Sequence, residues 1–254
     1  MSKNKKLYNF IIGLLLIPII VGFLLSLLKA FTPISLKFPT ALEIYKDFLA
    51  SLSDKEVLLA FLSTAKRVII SSVFAIFFGV ILSFLLNWNK RIWNFALPTI
   101  DFLRSIPITF FIPAFAILLG VSSPNIIWIL AIIPSVLIIL VNVSEGIRQQ
   151  NQKRLHHFYI ISGSKSKLKS FFNVTIFEVF PFFISGFKIA LSYSIVVVTV
   201  LEYMQMGNDV GLGRMVYNEM EQLNYSRVYS IIILVGLIGY LLNLMLNKIN
   251  LKYE

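Results

Sequence analysis

Cysteine is absent from all 254 residues, which excludes disulfides and thiolate-held metals. Charge is scarce as well: 14% of residues are Asp, Glu, Lys or Arg, against 57% hydrophobic. That balance excludes an ordinary soluble domain and points to a polytopic membrane protein. Acids are outnumbered by bases, 12 to 23. The excess does not point to nucleic acid, because most of it falls in short loops between apolar runs. The two histidines, His156 and His157, are neighbours, and adjacent helix positions do not share a face. No metal site is expected there. The sequence holds no GxxxxGK[ST] phosphate loop, no HExxH, no GxSxG and no paired-carboxylate constellation. The chain is therefore expected to be neither an ATP-binding subunit nor an enzyme, and to need no cofactor.

What is present is a series of apolar runs, each near the roughly 20 residues that cross a bilayer. Six are expected, at about 7–28, 58–86, 97–119, 126–143, 177–201 and 228–246. The first follows Lys3, Lys5 and Lys6 but is too long for a signal peptide's apolar region and lacks a small-residue cleavage site. It is read as a retained helix. Six spans put both termini on one side. Lys90, Arg91, Arg148, Lys153, Arg154, Lys165, Lys167 and Lys169 then share that side with the terminal lysines. The other side carries Lys29, Lys37, Lys46, Lys55, Arg214 and Arg227, diluted by eight acids. Positive charge marks the cytoplasm, so both termini are expected inside. The whole chain reads as one all-α transmembrane domain. Residues 1–56 hold the first helix and an outer loop, and residues 57–247 hold a five-helix core with an inner loop at 144–176.

Two loops are patterned. After Pro39-Thr40, Leu42, Tyr45, Phe48, Leu49 and Leu52 recur at helical spacing, opposite Glu43 and Asp47. This predicts a short amphipathic helix, either lying at the membrane interface or capping the first two spans. The inner segment KRLHHFYIISGSKSKLKS is strongly basic and is the expected partner-binding site.

Charge inside a span costs a few kcal/mol, so each instance needs a reason. Lys66 and Arg67 lie within snorkelling distance of the outer surface. Arg104 follows Asp101 by three residues, which permits a local ion pair. Lys188 sits about 16 Å into the fifth span at 1.5 Å per residue. It either lines a path for an anion or is paired internally. Glu202, at the outer end of that span, either meets a substrate or partner or marks the helix end. Pro98, Pro107, Pro113 and Pro134 each remove a backbone donor and bend the third and fourth spans.

From Ser63 to Asn243 these features resemble the permease subunit of a bacterial ABC importer, of the nitrate/sulfonate/taurine branch. Arg104, Pro107 and Pro113 fall at the spacing of that branch's R-x-I-P-x5-P stretch. Pro134 and Asn142 match its fourth helix. GFKIAL from Gly186 resembles GLRIAL, with Lys188 for Arg, and Glu202 with Gly211-Leu212-Gly213 matches the following outer region. The resemblance implies a type I importer architecture in the cytoplasmic (inner) membrane. It also implies a second permease subunit, a cytosolic ATPase and an extracytoplasmic substrate-binding protein. The cargo would be a small polar or anionic solute or a vitamin precursor, passing near Arg104, Pro107, Pro113, Lys188 and Glu202. It further assigns the inner loop to an EAA-type coupling motif, roughly EAA-x3-G-x9-I-x-LP. Anchored on Gly163, this motif puts His157, Phe158 and Tyr159 at EAA and reaches its proline position before Pro181. Moved on by one residue, it puts Ser164 at the glycine and Phe177 at the motif proline, with Pro181 one turn beyond. Either way the glutamate is missing. Leu155, Phe158 and Tyr159 would face the ATPase groove, with Lys167 in the following turn. Two rivals from other classes are a lone secondary transporter or channel and a membrane scaffold. The first needs an Asp, Glu or His relay at the span centres, and none is present.

Overall fold

The computed structural model describes residues 39–163 and 166–250, and among them every regular element is helical. The expected first span and Ser164 lie outside the described residues. Three long helices make the core: α2 (Lys55–Leu86), α5 (Ile126–Arg148) and α8 (Ile176–Tyr203). α5 runs between the other two, and the seams are built from small residues. A Cβ on Gly79 would stand 2.8 Å from the Ile139 Cβ, and one on Gly186 would stand 2.7 Å from the Asn142 Cβ. Without a hydrophobic drive between helices in lipid, close backbone approach is what holds such bundles. Buried hydroxyls add cross-links. Ser83 donates to the Leu140 carbonyl at 3.0 Å, and Ser135 and Ser194 share a hydrogen bond of 2.9 Å.

Four described helices are long and apolar enough to cross a membrane: α2, α5, residues 171–203 and residues 225–246. The third expected span departs from a single helix. It is split into α3 (Lys90–Ser105) and α4 (Ile112–Leu119), joined by a 3-10 turn at Ile108–Phe111 and bent by 90°. Pro107 is the reason: it lacks an N–H, and it forces Ile106 before it into an extended conformation (φ −83°, ψ 120°). Pro113 opens α4, where a missing N–H costs nothing. Pro98 and Pro134 are accommodated inside α3 and α5.

The amphipathic helix forms as α1 (Ala41–Ser53), started by a capping box in which Glu43 Oε2 accepts from Thr40 N at 2.7 Å. Its seating involves a helix that neither expectation named. Ile44 and Ser51 are buried, and the helix is fastened to the start of α10 (Tyr225–Asn250). Ser226 bonds Asp47, Arg227 pairs with Asp54, and Ser230 donates to the Ile44 carbonyl at 3.0 Å. Leu42, Tyr45, Leu49 and Leu52 point outward. In a membrane, an apolar stripe needs no protein cover, so the polar and small face packs instead.

Three candidate sites: the outer lock, the central seam and the inner hairpin

At the end assigned outside, α9 (Leu212–Glu221) folds back over α2 and α8. Here the structure overturns the snorkelling expected of Arg67: its side chain is only 5% exposed and reaches inward to Glu202, which is fully buried. Arg67 Nη1 stands 2.5 Å from Glu202 Oε1. Its other nitrogen, Nη2, donates to the Asp209 carbonyl at 3.2 Å and lies 3.5 Å from the Asp209 carboxylate. Thr64 donates to Glu202 Oε2 at 2.8 Å and accepts from Leu212 N at 2.9 Å, while Gly213 N donates to Oε2 at 3.1 Å. The carboxylate is thus saturated by donors from α2 and α9, as a buried charge must be.

Gly211 and Gly213 explain why this closes. A Cβ on Gly211 would fall 2.2 Å from the Glu202 carboxyl carbon, and one on Gly213 would fall 2.0 Å from the Thr199 carbonyl oxygen. Only glycine admits the carboxylate so close to the chain. Nearby, Arg214 donates to the carbonyls of Gln205 at 2.6 Å and Gly207 at 2.7 Å, holding the turn that ends α8. Sequence reasoning missed Thr64 and the pairing of Arg67, and one signal could have placed both on a packing face. Thr64, Arg67, Ser71, Ala75, Gly79 and Ser83 form one stripe of small and polar residues along α2, and all are buried.

The candidate path residues are not brought together. Glu202 faces its lock, not open space. Arg104, Pro107 and Pro113 stand exposed on the α3–α4 elbow, with Arg104 3.8 Å from Asp101. Lys188 is half-buried on α8. It precedes by one turn Ser192, which accepts from Asn243 Nδ2 of α10 at 3.3 Å.

The basic segment folds as a hairpin. α6 (Gln152–Ser162) starts at Asn151, whose side chain accepts from Lys153 N at 3.0 Å. It ends at Gly163 in the left-handed region (φ 60°), and α7 (Lys167–Ser170) follows. Glu178 accepts from Asn151 N at 3.0 Å and lies 3.4 Å from Arg154 Nη1, tying α6 to α8. These residues and Pro181 line a cavity of about 340 Å³. The face expected to meet a partner is turned inward. Leu155 and Tyr159 line an apolar cavity of about 990 Å³ with Phe84, Phe171 and Phe183. Tyr159 Oη shares a 3.2 Å hydrogen bond with Ser170, and Phe158 is half-buried beside it. Outward stand His156, His157, Ile160 and Ile161, the last 84% exposed.

Residues 71–253, most of the chain, match the family described as "Binding-protein-dependent transport system inner membrane component". The chain belongs to this family. It is a permease subunit of an ABC importer in the inner membrane, and such subunits are not themselves enzymes. The family implies an ATPase partner. Relatives include the formylaminopyrimidine transport permease protein ThiX of Halalkalibacterium halodurans, 26% identical over 70% of each chain. The bicarbonate transport system permease protein CmpB of Synechococcus elongatus is 25% identical over 75% of this chain and 67% of its own. The nitrate import permease protein NrtB of Synechocystis is 24% identical over 75% of this chain and 68% of its own. The MetNI methionine ABC transporter in inward-facing conformations contains a chain of the same fold. That chain superposes with a TM-score of 0.67 at 14% identity, covering 78% of this permease and 96% of itself. The resemblance seen in the sequence thus holds for the family and for the type I fold.

Proposed function

We propose that this permease imports a small anion, using the α6–Gly163–α7 hairpin to receive the movement of a cytosolic ATPase. The observation that carries the coupling role is the hairpin itself. It is a two-helix projection from the basic end, with Ile160 and Ile161 exposed at 69% and 84%. Apolar side chains on a short helix are what a groove on a partner takes up. Gly163 adopts φ 60°, a conformation that favours glycine, which supports Gly163 as the motif glycine. Ile160 and Ile161, with His157 beside them, replace Leu155, Phe158 and Tyr159 as the contact face. Leu155 and Tyr159 seat the hairpin on the bundle.

On this reading six spans place both termini in the cytoplasm, a second permease subunit completes the path, and an extracytoplasmic binding protein delivers the cargo to the end that carries α9. Two named relatives carry anions, nitrate and bicarbonate, and Lys188 supplies a cation partway along α8. Arg104 and the Pro107–Pro113 elbow belong to the moving part of the path. A second cargo reading, a pyrimidine-type vitamin precursor, is favoured by the relative named for formylaminopyrimidine. The experiment is substrate-stimulated ATPase activity in proteoliposomes with the ATPase and binding protein. Ile160→Ser with Ile161→Ser should abolish ATPase association while leaving the permease in the membrane. Lys188→Met should raise KM for nitrate or bicarbonate. Normal ATPase association in the double variant would remove the coupling assignment, and an unchanged anion KM beside an altered pyrimidine KM would favour the second cargo.

A further inference from the structure

Between α7 and α8 the chain makes a π turn, Phe171–Thr175, inside an otherwise continuous helix from 167 to 203. Ile176 N–H bonds to the Phe171 carbonyl, five residues back. A π turn holds one residue more than an α turn and is found chiefly as a single bulge within an α-helix. One residue added to an α-helix without such a bulge rotates everything beyond it by about 100° and shifts it about 1.5 Å. The bulge absorbs both displacements.

The turn is held on both sides. Upstream, Ser170 bonds Tyr159 of the hairpin. Downstream, Thr175 accepts from Gln150 Nε2 at 2.7 Å, and Glu178 holds Asn151 N. Phe171 sets its ring edge-on to Phe84 of α2, 4.6 Å between centroids. Asn173 Nδ2 donates to the Lys169 carbonyl at 2.8 Å, a side-chain donor placed where the backbone ladder widens.

We propose that the π turn is a one-residue insertion that lets the hairpin and α8 each keep its own seating. It is the joint through which the hairpin is coupled to α8. The second half of this statement rests on the coupling role proposed above; the first does not. The test deletes Asn173 and uses introduced cysteine pairs, which are unambiguous in a chain without native cysteine. Ser135→Cys with Ser194→Cys reports the register of α8 by oxidation. Arg154→Cys with Phe177→Cys, which line one cavity between α6 and α8, bridged by a short bis-maleimide, reports the seating of the hairpin. The expected result is that both cross-links form in the deletion variant as in the parent, and that substrate-stimulated ATPase activity persists at the parent's rate. Deleting Ile189, inside the regular part of α8, should abolish the Ser135–Ser194 cross-link. Loss of either cross-link on deleting Asn173 overturns the insertion. If deletions of Phe172, Asn173 and Val174 each fail to accumulate in the membrane while the parent pairs do, it is overturned as well. Retained cross-links with lost coupling overturn the joint alone. A parent that never binds the ATPase removes the coupling role and leaves the cross-links to decide the insertion.

Discussion

Replacing Glu202 by Gln keeps the shape of the side chain and removes its charge, so Arg67 is left buried opposite a neutral amide. Arg67 is otherwise held by the Asp209 carbonyl at 3.2 Å and its carboxylate at 3.5 Å, and Asp209 is largely exposed. Breaking a buried ion pair by neutralising one partner costs about 3–5 kcal/mol. Thr64 and Gly213 can still donate to the amide oxygen, which holds the expected loss near the lower end, about 3 kcal/mol. For a chain of this length that corresponds to a fall in Tm of roughly 6–12 °C. Arg67→Lys should lose less. It keeps the charge on Glu202 but gives up the fork that reaches Glu202 and Asp209 together. The double variant Arg67→Met, Glu202→Met removes both charges, and apolar replacement of a buried pair is often neutral. Here it also orphans Gly213 N, at about 1–3 kcal/mol, and leaves the Thr64 hydroxyl only its bond from Leu212 N. It should therefore recover only part of the loss. The assay is thermal unfolding of detergent-purified permease, completed as a double-mutant cycle. A coupling energy below about 0.5 kcal/mol, within the error of additivity, would mean that Arg67 snorkels to the outer surface after all, and the lock would not exist.

Gly213→Ala, whose Cβ would fall 2.0 Å from a backbone oxygen, should displace α9 and lower membrane accumulation more than Gly236→Ala, which meets nothing within 4 Å; quantitative blotting of membranes compares them. Leu223 follows α9 at φ 59° and is 69% exposed, so Leu223→Gly should gain about 1 kcal/mol by relieving a left-handed residue. Thermal unfolding reads the gain, and a loss instead would assign the leucine a packing role. Ser83→Ala removes the hydroxyl that joins α2 to the Leu140 carbonyl and should cost about 0.5–1.5 kcal/mol in the same assay.

Four spans, those expected at about 58–86, 126–143, 177–201 and 228–246, were legible because a bilayer imposes a length and a composition that few other constraints imitate. The small-residue stripe on α2 was not singled out but could have been for a related reason: in lipid, the side that packs is the side with the small and polar residues. On α1 the stripe of Leu42, Tyr45, Leu49 and Leu52 left two seatings open, at the interface or as a cap, and the residues that pack are Ile44 and Ser51. Pro107 announced a break in the third span but not its 90° angle, because a missing donor permits many directions and the packing of α4 chooses one. The direction of Arg67 was not legible at all. Snorkelling and pairing both satisfy a guanidinium near a span end, and the deciding partner lies 135 residues away.

The hairpin shows where periodicity loses its power to choose. Leu155, Phe158 and Tyr159 follow helical spacing, but Ile160 and Ile161 continue the apolar run around the helix, so no side of α6 is distinctly polar. The choice then falls to neighbours that the local sequence does not contain. Phe84 and Phe183 build an apolar wall, and Ser170 offers a hydroxyl 3.2 Å from that of Tyr159. Burying Leu155 and Tyr159 there leaves the isoleucines exposed. At the other end of α8, Glu202 is chosen in the same way, by donors from α2 and α9 that converge only after folding. One helix is therefore clamped at its outer end by a buried charge and entered at its inner end through a π turn. The hairpin is thus continuous with α8 through the π turn, and the lock joins the far end of α8 to α2 and α9.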